Sequence, residues 1–544
     1  MMSTTRFTAV AIALASCVSV CTAAGPVQPL TKVEIGKNRE IRVNGRPFLP
    51  IMLWLQSDER INDGLKIAVN TFCANGGRLS NKEFLDRLGQ NGLYGIVQFG
   101  DDYEQVVDHP YRLGWIHPDE PDIAKRVSDA VVRAKPGMQL NPRTPLYRIV
   151  DGDLSSWTVL EPLVGAEVTV ELNRPVTVQS VAVALTVSKN LSVAKDVAFL
   201  ADGKQIAQVQ LAKKRGRQRF ELPEPATFRQ ITLRVLSAYP GKERWGSIGE
   251  LEAFDSTGHN VLLSPPRLVP RMPPEKVQAA YRRIKAVDPE RPVFLTSTGD
   301  FFPKVSKYKP AVRERLYPAY IAATDVMGFD FYPIFGWGYP SRLTWVADMT
   351  EYLVRLSGRR PVYAWIETNK GSRWLTPSKQ IEVTPQHMRA EVWMALIRGA
   401  TGIGYFTHSW VPSYTQFAPK EPMVSALQRL NERLARLAPA ILAEPARVKI
   451  TMRLGDGLPC HFKATLYNGD LYIFAQNIDL GPEPQKKRQY EPIEPAGRAV
   501  FTVEGLKPGT KIEVVDESRT ITAARGRFTD QFGPLAEHVY RVRL

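Results

Sequence analysis

Cysteine is scarce in this chain, with 4 among 544 residues. Cys17 and Cys21 fall in an N-terminal leader, and Cys73 and Cys460 fall in different expected domains. A disulfide framework is thereby excluded, and two buried thiols are expected. Beyond the leader no apolar run reaches the ~18 residues of a membrane-spanning helix. Also missing are a Gly-x-Ser-x-Gly elbow, a His-Glu-x-x-His helix and a phosphate-cradling P-loop, which argues against serine-hydrolase, zinc-peptidase and nucleotide-hydrolysing chemistry. Gly399-Ala-Thr-Gly-Ile-Gly404 is glycine-rich, but its spacing is wrong for a dinucleotide turn. There is no internal repeat and no low-complexity tail.

What is present is the composition of a soluble globular protein, 44% hydrophobic and 23% charged. The length calls for several domains. Lys and Arg number 71 against 55 Asp and Glu, a net charge of +16. That balance fits an acidic polysaccharide, an anionic surface or a basic surface with no specific partner. The basic run Lys213-Lys-Arg-Gly-Arg-Gln-Arg219 has no interleaved aromatics, so nucleic acid is not expected as a partner. It reads as an exposed hairpin turn, or as a contact for an anionic glycan. Residues 1–24 read as an export signal to the periplasm or exterior: Arg6, an apolar Phe7 to Val20, then Thr22-Ala-Ala24. Leu14-Ala-Ser-Cys17 also fits a lipoprotein box, and a lipid on Cys17 is the one route to a membrane.

Strand and helix patterns alternate through two stretches, 28–142 and 264–445. Short apolar strands are expected at Phe48 to Leu55, Ile67 to Phe72, Leu93 to Phe99, Tyr111 to Ile116, Pro292 to Thr296, Val326 to Tyr332, Pro361 to Ile366 and Gly402 to Thr407. Helices punctuated by Ser80, Pro274 and Thr384-Pro385 lie between them. Eight such strands predict an α/β fold, a parallel (β/α)8 TIM barrel. The alternation stops over 143–263, where β-branched residues and turn signals predict an inserted β-sandwich or jelly roll after the fourth strand, at the rim of the barrel mouth. Residues 446–544 read as a C-terminal β-sandwich.

Two carboxylates stand where barrel strands run out. Glu120 lies in Gly114-Trp-Ile-His-Pro-Asp-Glu-Pro-Asp122, and Glu367 in Pro361-Val-Tyr-Ala-Trp-Ile-Glu-Thr-Asn369. Both belong to the C-terminal mouth of a barrel, and two facing carboxylates can break a glycosidic bond. Glu120 precedes a proline, which predicts an extended or turn conformation. Asp119 and Asp122 flank it, and a loop of acids leading into a helix is the alternative. Glu367 ends a buried strand, where the alternative is an ion pair with an arginine. Trp54, Gln98, Tyr332 and Trp410 are placed either to line a sugar pocket or to pack the rim. His117, Asn369 and His408 are candidates to hydrogen-bond sugar hydroxyls.

In the order of these elements the chain resembles the clan A glycoside hydrolases, retaining enzymes on a (β/α)8 barrel. The resemblance implies Glu120 as acid/base on strand four and Glu367 as nucleophile on strand seven. It further implies Tyr332, in Asp330-Phe-Tyr-Pro333, as the tyrosine beside the nucleophile and Trp410 as the strand-eight tryptophan. Asn-Gly-Arg-Pro-Phe-Leu-Pro50 is similar to the usual entry into strand one. The clan usually places Asn before the acid/base; here Asp119 stands there, so it either contacts the substrate differently or shares the acid role. The insertion resembles discoidin-like (coagulation factor C-type) modules through Asp151-Gly-Asp-Leu-Ser-Ser-Trp157 and Gly249-Glu-Leu-Glu-Ala-Phe254. That resemblance implies a sugar ligand and a structural calcium on Asp151 and Glu252. Together these imply a secreted retaining glycosidase acting on an oligo- or polysaccharide, acidic ones included, with no cofactor needed for catalysis. A non-catalytic glycan-binding or adhesion protein and a transglycosylase stand as alternatives.

Overall fold

The first barrel strand, β1 (Ile51–Gln56), is apolar along almost its whole length, as a strand covered on both faces must be. The same holds for β2 (Thr71–Asn75), β3 (Tyr94–Gln98), β4 (Arg112–Ile116), β5 (Val293–Ser297), β6 (Val326–Asp330), β7 (Val362–Glu367) and β8 (Gly402–Phe406). Each pairs in parallel with its neighbour, and β8 returns to β1 to close an eight-stranded barrel. In this computed structural model residues 26–481 and 496–543 are described. The export signal, Cys17 and Cys21 lie outside them. Two compact units are present, one of Met1–Ile123 with Pro270–Leu544 and one of Ala124–Val269.

In the first unit helices follow the strands: α1 (Ile61–Lys66), α2 (Asn81–Gln90), α3 (Pro274–Val287), α4 (Pro310–Ile321), α5 (Trp345–Ser357), α6 (Pro385–Ile397) and α7 (Met423–Ile441). Ser80 caps α2 in a capping box with Glu83, and Thr384 caps α6 in one with His387. Burial pushes the His387 imidazole down to about 4, which keeps it neutral for that acceptor role. The second strand lies further along than the apolar run Ile67 to Phe72 indicated. The N–H groups of Ile67 and Val69 are spent on the carbonyls of Asp63 and Gly64, closing α1, so the strand begins only at Thr71.

The barrel interior is filled by side chains rather than open. Trp54 and Trp365 meet at 5.1 Å, and Thr296 bonds both the Tyr363 hydroxyl at 2.8 Å and the Trp365 indole at 3.1 Å. Behind α6 and α7 the C-terminal strands form a six-stranded and a three-stranded sheet around a core that includes Leu471, Phe501 and Tyr540. Helix α6 is buried on nearly every side, between the barrel and this sandwich, with Trp393 against Phe474 at 6.1 Å.

The second unit is all-β. Its long strands Glu167–Leu185 and Gly216–Val235 pair antiparallel and slip register after Glu171, which lets them bend around a core of Val181, Phe199 and Leu251. It spans more than the 143–263 read from alternation. Ala124–Val127 pairs with Arg267–Pro270, and Val131–Ala134 adds to the long strand. Exposed Lys125, Arg126 and Arg133 dilute the strand pattern there.

Candidate active site

The loop leaving β4 turns sharply at Glu120, whose φ is +43°. A left-handed backbone is uncommon for a residue with a Cβ, and strained residues of this kind gather at functional sites. The proline at 121 rules out a continuing helix, and the observed turn is tighter than the extended conformation that position also allows. Asp122, two residues on, is fully buried and anchors the turn. It accepts from the Thr298 N–H at 2.9 Å, the Thr298 hydroxyl at 2.7 Å and the Tyr317 hydroxyl at 2.7 Å. Burial raises its carboxyl to about 6 despite those donors.

This anchored turn delivers Asp119 and Glu120 to Asp330, the last residue of β6. Glu120 and Asp330 share a hydrogen bond between their carboxyl groups. Burial first, then the charge of Glu120 and that shared bond, push Asp330 well above the usual carboxylate range. Asp119 is raised to about 7, by burial and then by Glu120, with Arg271 opposing. Three carboxyl groups of strands four and six thus come together at the C-terminal end of the barrel, two of them raised by burial and by their neighbours.

Glu367 has partners of its own. It ends β7 with no solvent exposure. Its carboxylate accepts from the Ile334 N–H at 2.9 Å and the Phe335 N–H at 2.6 Å, in the loop after β6. A fully buried Glu391 of α6 makes a carboxyl–carboxyl hydrogen bond to it. Burial and the Glu367 charge push Glu391 well up, so Glu391 is the protonated donor of that pair. Burial raises Glu367 itself to about 7, with Glu391 and the two N–H groups opposing. The hydrogen-bond partners of Glu367 are thus Ile334, Phe335 and Glu391, whereas Glu120 is bonded to Asp330. The charges of Glu120 and Glu367 both act on the buried phenol of Tyr332.

The other candidates divide. Trp54 is buried in the barrel floor against Trp365, and Gln98 is exposed at the end of β3. His408, buried and lowered by burial, bonds the Trp54 carbonyl at 3.1 Å and the Tyr414 hydroxyl at 3.2 Å. Trp410 lies half-buried beside it at 5.9 Å. Asn369 does not offer its amide to a ligand: Nδ2 donates to the carbonyls of Lys370 and His408, and Oδ1 accepts from Thr368. His117 is a correction. It turns into the helix layer, where Nε2 bonds the Ala323 carbonyl at 2.9 Å. Trp115, on the same face of the chain, points the same way and donates to Asp288 at 2.7 Å.

Asp330, Glu391 and Asp122 were not singled out from the sequence as site residues. Asp330 closes an apolar strand just as Glu367 does. Glu391 sits in a helix whose neighbours Ala390, Val392 and Trp393 are all apolar, so its burial could have been read there.

In the second unit the calcium assignment needs correction. Glu252 is held by Arg217 in a two-pronged ion pair at 2.5 and 2.7 Å. The carboxyl beside Asp151 belongs to Glu250 instead. Burial, the bond to Asp151 and its charge raise Glu250 to about 9, and Oε2 is buried without a partner. The half-buried Asp151 and the buried Glu250 are thus the carboxyl pair of this unit, while Glu252 is neutralised by Arg217; among the described residues no group of three or more potential metal ligands comes together.

No protein-family model and no curated protein matches the chain. Solved structures align with parts of it. The family 32 CBM of C. perfringens NanJ in complex with galactose covers 24% of this chain and 98% of its own, at 15% identity and a TM-score of 0.20. An α-amylase of Geobacillus thermoleovorans complexed with acarbose covers 50% of this chain and 58% of its own, at 12% identity and a TM-score of 0.34. An Anoxybacillus α-amylase covers 50% and 57%, at 10% and 0.33.

Proposed function

We propose that this chain hydrolyses glycosidic bonds of an oligo- or polysaccharide, using the carboxyl groups gathered from strands four and six. The observation that carries this reading is the hydrogen-bonded pair Glu120 and Asp330, with Asp330 raised well above the usual carboxylate range beside a third carboxyl, Asp119. Glycoside hydrolysis needs one carboxyl that donates a proton to the leaving oxygen and one ionised carboxylate at the anomeric carbon. A carboxyl raised by burial and by carboxylate neighbours, as Asp330 is, supplies the proton donor. Once the sugar displaces the hydrogen bond between them and parts the two carboxyls to the roughly 5–9.5 Å that the reaction needs, Asp330 protonates the leaving oxygen and Glu120 acts at the anomeric carbon, directly or through water. The other assignment, double displacement with Glu120 as acid/base and Glu367 as nucleophile, requires substrate to reach a Glu367 that has no solvent exposure. The sealed position of Glu367 also favours, as a second reading, a barrel that binds glycans without cleaving them.

The second unit is proposed to bind the same glycan, with a calcium ion on Asp151 and Glu250. Export through the leader, free or lipid-anchored at Cys17, belongs to the same proposal. The test is hydrolysis of aryl glycosides and natural polysaccharides, acidic ones included, by wild type beside Glu120→Gln, Asp330→Asn and Glu367→Gln. Loss of turnover in the first two, with Glu367→Gln retaining it, supports the reading. Loss in Glu120→Gln and Glu367→Gln alone restores double displacement across strands four and seven. Glycan binding without cleavage by wild type leaves the scaffold reading.

A further inference from the structure

The mouth of the barrel is chemically lopsided. The carboxyl groups cluster at strands four and six. The loops after β7 and β8 carry instead the most exposed aromatic rings of the barrel, Trp374 and Tyr414, at 53% and 56% exposure. Trp410 lies between them, 5.9 Å from each ring. Exposed aromatic faces offer flat apolar surface of the kind the C–H face of a pyranose covers.

These rings are held in place. Ser409 and Thr415 bond each other's backbone at 3.0 and 2.9 Å, closing the loop that presents Trp410 and Tyr414. The carbonyl of Gly371 accepts from the Trp410 N–H at 2.7 Å, so the two loops are stitched together. The Tyr414 hydroxyl is fixed by His408 at 3.2 Å.

Arg373 completes the surface. Its guanidinium lies 4.9 Å from the centre of the Trp410 ring and 5.7 Å from that of Trp374. The side chain is exposed, and among the described residues no carboxylate pairs with it and no acceptor takes its N–H groups. The single acid of the loop, Glu382, is already bound by Lys370 at 3.1 Å. A guanidinium oriented by two indole faces, with its donors unspent, is arranged to take a planar anion.

We propose that Arg373, with Trp374 and Tyr414, forms a subsite for a sugar ring bearing an anionic substituent, a uronate carboxylate or a sulfate ester. The inference rests on the glycan-cleaving reading of the same mouth and names its substrate class. An anionic ring is repelled by whatever negative charge the Asp119, Glu120 and Asp330 cluster carries and attracted by Arg373. The charged ring therefore sits on strands seven and eight, and the bond to be cut reaches the carboxyls from there.

The test measures binding by tryptophan fluorescence on the full chain carrying Glu120→Gln, so that the answer does not depend on turnover. The probes are an oligogalacturonate, its carboxyl-reduced neutral counterpart and a sulfated galactan oligosaccharide. At least one anionic probe should bind more tightly than the neutral one. Arg373→Gln should weaken that probe by about 10- to 100-fold, the range of a charge-assisted hydrogen-bond pair, and leave the neutral probe within about two-fold. Arg373→Lys should restore only part of the loss, because a point charge lacks the fork. The anionic probe that depends on Arg373 separates carboxylate from sulfate. The inference is overturned if no anionic probe is preferred, or if Arg373→Gln weakens neutral and anionic probes equally. Arg373-dependent binding without cleavage of that glycan by wild type would sink the hydrolase reading and leave the subsite standing.

Discussion

Glu391 of helix α6 donates a carboxyl hydrogen bond to Glu367 at the end of strand β7, and both carboxyls are fully buried. Among the described residues no lysine or arginine pairs with either of them. Such a pair binds protons more tightly in the folded protein than in the unfolded chain, where a glutamate titrates near 4.5. Its stabilising contribution is therefore complete below about pH 4.5 and is lost as pH rises through about 7, where Glu367 titrates. His387 and His461, both lowered to about 4 by burial, act in the opposite sense between about 4 and 6.5.

The expected outcome is a difference between variants. Glu391→Gln keeps a donor to Glu367 at every pH. It should melt above wild type at pH 8 and lose that advantage at pH 5. Parallel melting curves for the two proteins across this range would show that the pair carries no proton of its own.

The catalytic assignment separates positions that a structural reading would treat alike. Glu120→Gln and Asp330→Asn should each lower kcat by about 10²- to 10⁴-fold, the usual worth of a positioned acid or base, with melting temperatures near that of wild type. Glu391→Gln should leave kcat within a few-fold. Asp330→Asn with full turnover would remove Asp330 from the mechanism.

A pH profile tests the acid directly. The charge of Asp119 helps hold the proton on Asp330. Asp119→Asn removes that charge, so the Asp330 carboxyl falls toward the ordinary range. Activity that requires protonated Asp330 should then fail at lower pH, moving the alkaline limb of kcat/KM to the left. A limb that stays in place would mean that another group supplies the proton.

Much of this arrangement was legible in the residues. The strands of the barrel announce themselves as short apolar runs, and a carboxylate closing such a run is visible as Glu120 just past β4 and Glu367 at the end of β7. The direction each side chain takes was less accessible. Glu367 is held by two backbone N–H groups and by a glutamate 24 positions later in the chain, partners that only folding brings together. Asp330 was visible in Asp330-Phe-Tyr-Pro333 but was overshadowed by Tyr332. His117 was decidable by period two alone: it shares a face with Trp115, and that face packs against helices.

The second unit offers a test on Asp151 and Glu250. Calcium added to the full chain should raise the melting transition of this unit, and a chelator should lower it. Glu250→Gln, which needs no shared proton, should abolish the calcium response. Glu252→Gln should preserve it while costing stability through loss of the Arg217 pair. A calcium response that survives Glu250→Gln and vanishes with Glu252→Gln would return the site to Glu252.

Gly371 sets the seam between the loops of β7 and β8. Its φ of +111° strains any other residue, and a Cβ there would lie 1.9 Å from Ser409 Oγ and 3.1 Å from the Val411 carbonyl. Gly358, after α5, also has a positive φ of +61°, but a Cβ there meets nothing within 4 Å. The two positions separate strain from collision. Gly358→Ala should cost roughly 1–3 kcal/mol of stability and leave KM unchanged. Gly371→Ala should cost at least as much and also raise KM, because the Ser409 loop must move and carries Trp410 and Tyr414 with it. Asn369 still ties that loop at the His408 carbonyl, so kcat should fall less than KM rises. Equal KM values for the two variants would show that substrate does not rest on the Trp410 and Tyr414 rings.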